Sequence, residues 1–312
     1  MAEQANADQS TLAREAAPVL TQGEIDQRVF DLYDEYCHGR LDRREFLQRA
    51  SVLTIGGVSA LAMAQALLPR YALAQTISFT DQRIKARYVT YPSPGGNSGT
   101  MRGYLVQPNG AGPFPAVLVI HENRGLNPYI EDVARRAATE GFLALAPDGL
   151  SPVGGYPGND DDGRTLQAGL DQGKLRTDMV NGARFVKSHA LSTGKLGVTG
   201  FCWGGSTTNF LAVTLGADLK AGVPFYGAAA ETAGVPAIEA PLLIQYAESD
   251  ERINALWPGY EAALKASGVQ YEMYMYPGTQ HGFHNNSTPR YHEASAKLAW
   301  ERTIAFFKKH LA

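Results

Sequence analysis

The stretch LGVTGFCWGGSTTNF, residues 196–210, limits the fold more than any other part of the chain. An apolar run ends at Gly200, the chain turns through Phe201, Cys202 and Trp203, and a small-residue helical pattern follows two glycines. Gly200-Phe201-Cys202-Trp203-Gly204 has the form G-x-nucleophile-x-G, which puts its central residue on a tight strand-to-helix turn. Neighbours without a Cβ let the strand and helix close on such a turn without collision. The turn exposes the Cys202 side chain. It also presents the Trp203 backbone N–H at the start of a helix, where orphan donors and the helix dipole favour negative charge. Half of an oxyanion hole and a stabilised thiolate are the expected consequences.

From about Gln75 onward, short apolar runs alternate with longer helical patterns. This predicts an α/β fold with a mostly parallel central sheet and helices on both faces. ARYVTYPS and TMRGYLVQP flank the turn Pro94-Gly95-Gly96-Asn97 and read as an antiparallel hairpin. PAVLVIHEN, FLALAPDGL, KLGVTGF, AGVPFYG, PLLIQYAESD and YEMYMYPGTQHGF read as strands. Helices are expected over NPYIEDVARRAATEG, KLRTDMVNGARFVKSHA, the residues after Cys202, INALWPGYEAALKASG, and from about His292 to Leu311. The Gly-, Pro- and Asp-rich SPVGGYPGNDDDGRTLQAG reads as a long loop at a pocket rim, with a poorly ordered segment as the alternative.

A nucleophile on such an elbow takes an acid from the end of a later strand and then a histidine. PLLIQYAESD brings Glu248, Asp250 and Glu251 to a strand end, and nothing local separates the three. His281 lies in the loop after the last strand, and His284 stands three positions on. His281 is favoured because it comes first, as the group that takes the thiol or water proton while a carboxylate holds its other nitrogen.

With these residues in place, GFCWGG, the acid in YAESDERIN, the HGF tripeptide and HENRGLN together resemble the dienelactone hydrolase family. The likeness runs from about Tyr88 to Leu311. It implies an α/β-hydrolase fold and a Cys202, Asp250, His281 triad, with Asp250 singled out by the motif. It also implies that Glu122 bonds the resting thiol and helps to activate it, and that the Asn123 N–H joins that of Trp203 in the oxyanion hole. Such an enzyme cleaves esters or lactones through a thioester acyl-enzyme, without a metal or organic cofactor. The likeness breaks at Asn285, where family members acting on an anionic substrate carry an arginine. Arg124, Arg164 and Arg290 are candidate substitutes, and Trp203, Phe283 and Tyr156 are candidate walls of an apolar pocket for neutral esters. A broad carboxylesterase or thioesterase is the alternative activity, and a non-catalytic binding protein on the same scaffold is the alternative outside enzymes.

Residues 1–74 read as an N-terminal extension and 75–312 as the hydrolase domain. Arg43 and Arg44 precede Phe46 and Leu47, an uncharged stretch runs from Ala50 to Pro69, and Ala72-Leu73-Ala74 is a small-x-small pattern. Together these resemble a twin-arginine export signal cleaved before Gln75, which predicts a periplasmic or exported protein that meets the twin-arginine machinery. An uncleaved membrane anchor and a buried helix in a cytoplasmic protein are the competing readings. Upstream, Ile25, Val29, Leu32 and Tyr33 are spaced for one face of a short helix, and Cys37 has no evident role.

The net charge of −3 and the absence of a basic stripe argue against nucleic acid as a partner. With 19% charged and 44% hydrophobic residues, the domain is not expected to be membrane-embedded. Two cysteines make no disulfide framework, and no Cys/His cluster has zinc spacing.

Overall fold

The computed structural model describes residues 26–37, 40–55, 58–59, 64 and 71–312. Two helices come first, α1 (Gln27–Cys37) and α2 (Arg43–Ser51), followed by a two-residue ladder of β1 (Thr54–Ile55) with β2 (Val58–Ser59) and a one-turn helix, α3 (Tyr71–Ala74). Ile25, the Cys37 side chain and most of the apolar stretch from Ala50 to Pro69 lie outside the described residues.

The main sheet has eight strands, β3 (Ile84–Ser93), β4 (Gly99–Pro108), β5 (Phe114–Ile120), β6 (Leu143–Pro147), β7 (Ser192–Phe201), β8 (Ala221–Phe225), β9 (Leu242–Ser249) and β10 (Tyr271–Gln280). Their spatial order is β10-β9-β8-β7-β5-β6-β4-β3. Only β4 runs against its neighbours; every pair from β6 across to β10 is parallel. This is the expected α/β architecture. The hairpin β3–β4 closes through the Pro94–Asn97 turn, as its composition predicts.

Strand β5 shows why both faces need cover. Val117 and Val119 enter one apolar cluster, while Ala116, Leu118 and Ile120 enter the other, and all five are wholly buried. Successive side chains point to opposite faces, so such a strand is stable only between two helical layers. One layer is α4 (Pro128–Thr139) with the C-terminal helix α10 (Glu293–Leu311), and the other holds α6 (Gln172–Lys187), α7 (Trp203–Leu215) and α9 (Trp257–Ala266). Each wholly buried aliphatic side chain here contributes about 1.5–3 kcal/mol of transfer free energy.

Two elements depart from the sequence pattern. The expected loop after β6 contains α5 (Asp160–Ala168), capped by Asn159, whose side chain accepts from the Asp162 N–H at 2.9 Å. Three aspartates in its first turn suit the helix dipole. The helix expected over INALWPGYEAALKASG is divided into α8 (Glu251–Asn254) and α9, because Pro258 at the first turn of α9 cannot continue the preceding helix.

Candidate active site

Sheet register builds the site before any side chain is considered. Ile120 of β5 pairs with Gly200 of β7, so Glu122 and Cys202, each two residues further on, leave adjacent strands at one level. Ser249 of β9 pairs with Gln280 of β10, so Asp250 and His281 are each the next residue past that pair. All four lie beyond the carboxyl ends of parallel strands, where open α/β sheets place their ligand sites.

The turn at Cys202 is held by close backbone contacts. Cys202 has φ 56° and ψ −112°, a conformation that few side-chain-bearing residues adopt. A Cβ on Gly200 would stand 2.2 Å from the Gly204 carbonyl oxygen, and one on Gly204 would stand 2.4 Å from that of Ile120. The Cys202 N–H donates to the Phe225 carbonyl at 3.1 Å, which ties the bend to β8. Trp203 opens α7, so its N–H is one of the orphan donors of that helix. Its indole stacks on His121, with centroids 5.4 Å apart. Burial lowers the His121 pKa to about 4, so that ring is neutral at ordinary pH.

Asp250 and His281 meet through a 2.6 Å bond from Nδ1 to Oδ2, and both are buried. The Cys202 sulfur is near enough to act electrostatically on the His281 imidazole. Burial disfavours the imidazolium, but the Asp250 carboxylate and the Cys202 sulfur outweigh it and hold the His281 pKa well above its ordinary value. The rival acids are elsewhere. Glu248 accepts from the Gly278 N–H at 2.7 Å, and Glu251 is exposed at the start of α8. His284 bonds the Tyr129 hydroxyl at 2.7 Å and stacks against Phe201 in the core, where burial drives its pKa well down.

Glu122 is 1% exposed and accepts a 3.0 Å bond from Asn285 Nδ2. Burial raises its pKa, Arg124 opposes the rise and Cys202 adds to it, so carboxylate and thiolate disfavour one another's charge. The Asn285 amide can face only one way, because its Oδ1 already accepts from the Ser287 N–H at 3.0 Å and the Ser287 hydroxyl at 2.6 Å. A neutral donor thus occupies the position where the sequence comparison expected an arginine. Asn123 is half-buried in the turn between Glu122 and Arg124.

The three arginines are engaged. Arg124 Nη1 donates to Asp160 at 2.6 Å, while its Nε stands 3.9 Å from Glu122. Asp160 also accepts from Tyr71 at 2.6 Å and Tyr156 at 2.8 Å. Arg164 donates to the Tyr36 carbonyl and covers the Tyr36 ring at 4.2 Å. Arg290 is buried over the Tyr33 ring at 4.7 Å, and its guanidinium fills the space a Cβ on Gly282 would need. Phe283 is wholly buried among Phe225, Tyr226 and Tyr276, a core position; Tyr156 lines a cavity of about 230 Å³ together with Tyr33, Tyr36, Tyr71 and Arg124. Sequence reasoning missed Asp160, Tyr71 and the Asn285–Glu122 bond. Among the described residues no group of three or more His, Cys, Asp and Glu converges as a metal site would, and no helix is long and apolar enough to cross a membrane.

Comparison with known proteins agrees with this fold. The family model for the dienelactone hydrolase family matches residues 101–311. The chain belongs to the dienelactone hydrolase family. A presumed carboxymethylenebutenolidase of Escherichia coli (strain K12) is 32% identical over 255 residues, which cover 76% of this chain and 92% of that one. A presumed hydrolase fragment of the same organism, YghX, is 64% identical over 115 residues, 36% of this chain and 97% of the fragment. The crystal structure of a presumed dienelactone hydrolase from Klebsiella pneumoniae subsp. pneumoniae superposes with a TM-score of 0.62 at 28% identity, covering 72% of this chain and 99% of that one. A second model, described as YqhI-like, matches residues 17–55. This dienelactone hydrolase family member is therefore a hydrolase of ester or lactone bonds with the α/β-hydrolase fold.

Proposed function

We propose that the hydrolase works by acyl transfer through Cys202, with His281 as its acid and base and Asp250 orienting the imidazole. The Cys202 sulfur attacks the ester or lactone carbonyl, and the oxyanion takes hydrogen bonds from the Trp203 and Asn123 N–H groups. The thiol proton passes to His281 as the sulfur attacks, and the tetrahedral adduct expels an alkoxide that takes that proton; an enolate leaves as the anion, and His281 then gives its proton to solvent. Water then attacks the thioester while His281 accepts its proton, which passes back to the thiol as the acid is released. Glu122 bonds the resting thiol and shares a proton with it, which keeps a reactive thiolate from persisting between turnovers. The observation that supports this reading is the 2.6 Å bond between His281 and Asp250, two buried groups past the ends of neighbouring strands, together with the strained elbow at Cys202 and Glu122 level with it beyond the adjacent strand.

The test is turnover of p-nitrophenyl acetate with intact-mass detection of the acyl-enzyme. Cys202→Ala should lose at least about 10³-fold in kcat and form no adduct, and unchanged turnover would remove the cysteine from the mechanism.

The substrate reading within this mechanism is a neutral ester. It is supported by Asn285 at Glu122 and by the carboxylate and tyrosine partners already held by Arg124, Arg164 and Arg290. A dienelactone should be hydrolysed no faster than its methyl ester, whereas a strong preference for the free carboxylate would overturn the reading. Export through the Arg43-Arg44 segment is likewise a proposal, supported by the arginine pair and the Ala-x-Ala pattern alone. Cell fractionation tests it: protein in the envelope, with or without residues 1–74, supports export, and an intact chain in the cytoplasm refutes it.

A further inference from the structure

Helices α1 and α2 are not absorbed into the hydrolase core. Val29, Phe30, Tyr33, Tyr36, Leu41 and Phe46 bury one another in a cluster separate from the two that sandwich the sheet. The pair reaches the domain instead through polar and ring contacts. Gln27 and Gln280 exchange side-chain amide bonds at 2.6 and 3.3 Å, Arg290 lies over Tyr33, Arg164 lies over Tyr36, and Arg43 pairs with Asp161 at 3.1 Å. The exposed Gln27–Gln280 and Arg43–Asp161 contacts are individually weak, while the two ring contacts of Arg290 and Arg164 with the buried Tyr33 and Tyr36 are the stronger part of the seam. Each of these domain groups lies on α5 or in residues 280–290, the two rims of the site, and the second rim carries His281.

The helix pair lines two cavities. Tyr33, Tyr36 and Arg43 line the chamber of about 230 Å³ together with Arg124, which stands 3.9 Å from Glu122. Gln27, Phe30 and Glu35 line a larger cavity of about 860 Å³ together with Asp250, His281 and Arg290. The helix pair thus stands beside the catalytic acid and histidine with a core of its own, the mark of a unit that can open locally.

We propose that α1 and α2 form a lid that governs access to Cys202, closed when Tyr33 and Tyr36 lie under Arg290 and Arg164. In this closed arrangement Gln27, Phe30 and Glu35 of α1 stand at the cavity that Asp250 and His281 also line, so a molecule that reaches the catalytic histidine from that side passes the helix pair. The access control does not rest on the ester-hydrolase mechanism.

The test uses the full chain and the rate of Cys202 alkylation by iodoacetamide, located by peptide mass so that Cys37 is scored separately. Arg43→Asp turns an attraction into a repulsion at an exposed position and should speed alkylation about 3–10-fold. Adding Asp161→Arg to it should restore the original rate to within about twofold. If Arg43→Asp yields no soluble protein, Tyr36→Ala, which removes a different contact, is held to the same criterion. Alkylation that is unchanged or slower overturns the lid, as does a protein that begins at Gln75 in cells. Faster alkylation without any ester turnover keeps the lid and refutes the ester mechanism, while normal turnover with unchanged alkylation does the reverse.

Discussion

At the Cys202 elbow, a Cβ on Gly200, Gly204 or Gly205 would lie 2.2–2.4 Å from a backbone oxygen; α1 and α2, near the same strand ends, meet the domain through side-chain tips. The first region tolerates no displacement because backbone presses on backbone. The second can separate with the loss of a few ring and charge contacts. One molecule therefore carries an immovable nucleophile under a detachable cover, and the difference follows from where the apolar surface is buried.

Gly204→Ala should break the comparison most severely. Its Cβ would press on the carbonyl oxygens of Ile120 and His121, and a cost of about 3 kcal/mol or more is expected in urea unfolding, because neither strand end can retreat. A variant as stable as the parent would show the elbow to be pliable. Asp250→Asn comes next, with turnover expected to fall by about 10²–10⁴-fold. The same substitution has a stability signature. A raised folded-state pKa at His281 gives stability that is complete below its unfolded value of about 6.5 and is lost as pH rises through the folded value. Urea midpoints of the parent should therefore decline toward alkaline pH, and Asp250→Asn should flatten that decline; parallel curves would refute the assignment.

Tyr33→Ala should act on the cover alone. Cleavage by a protease within α1 and α2 should quicken several-fold while the urea midpoint of the main transition stays unchanged, and a lowered midpoint would mean that the two regions fold as one. Raising salt from low to about 0.5 M should have the smallest effect, speeding Cys202 alkylation less than about threefold by screening the Arg43–Asp161 pair.

Much of this was legible in the residues. The elbow could be read from G-F-C-W-G because its glycines answer a purely local steric demand, and the alternation of strands and helices fixed the chain order of acid and histidine. Periodicity likewise gave the buried face of α1 through Val29 and Tyr33. Helix α5 was hidden because its support is distant: Asp160 is held by Tyr71, Tyr156 and Arg124, and its segment reads as a Gly- and Asp-rich loop. Phe283, next to the HG pair, could be wall or core, and only the rings of Phe225, Tyr226 and Tyr276 place it in the core. At Asn285 the sequence reveals a missing arginine. The Ser287 contact two residues on is a local signal, but the partner it orients the amide toward lies 163 positions away.

The placement of the helix pair also sets an order of events during synthesis. Residues 27–51 leave the ribosome well before Gln280 and Arg290, against which they rest. At roughly 5–20 residues per second, about ten to fifty seconds separate the two. The newborn cysteine is completed in that interval without its roof, and a cell that must protect it has to do so before translation ends.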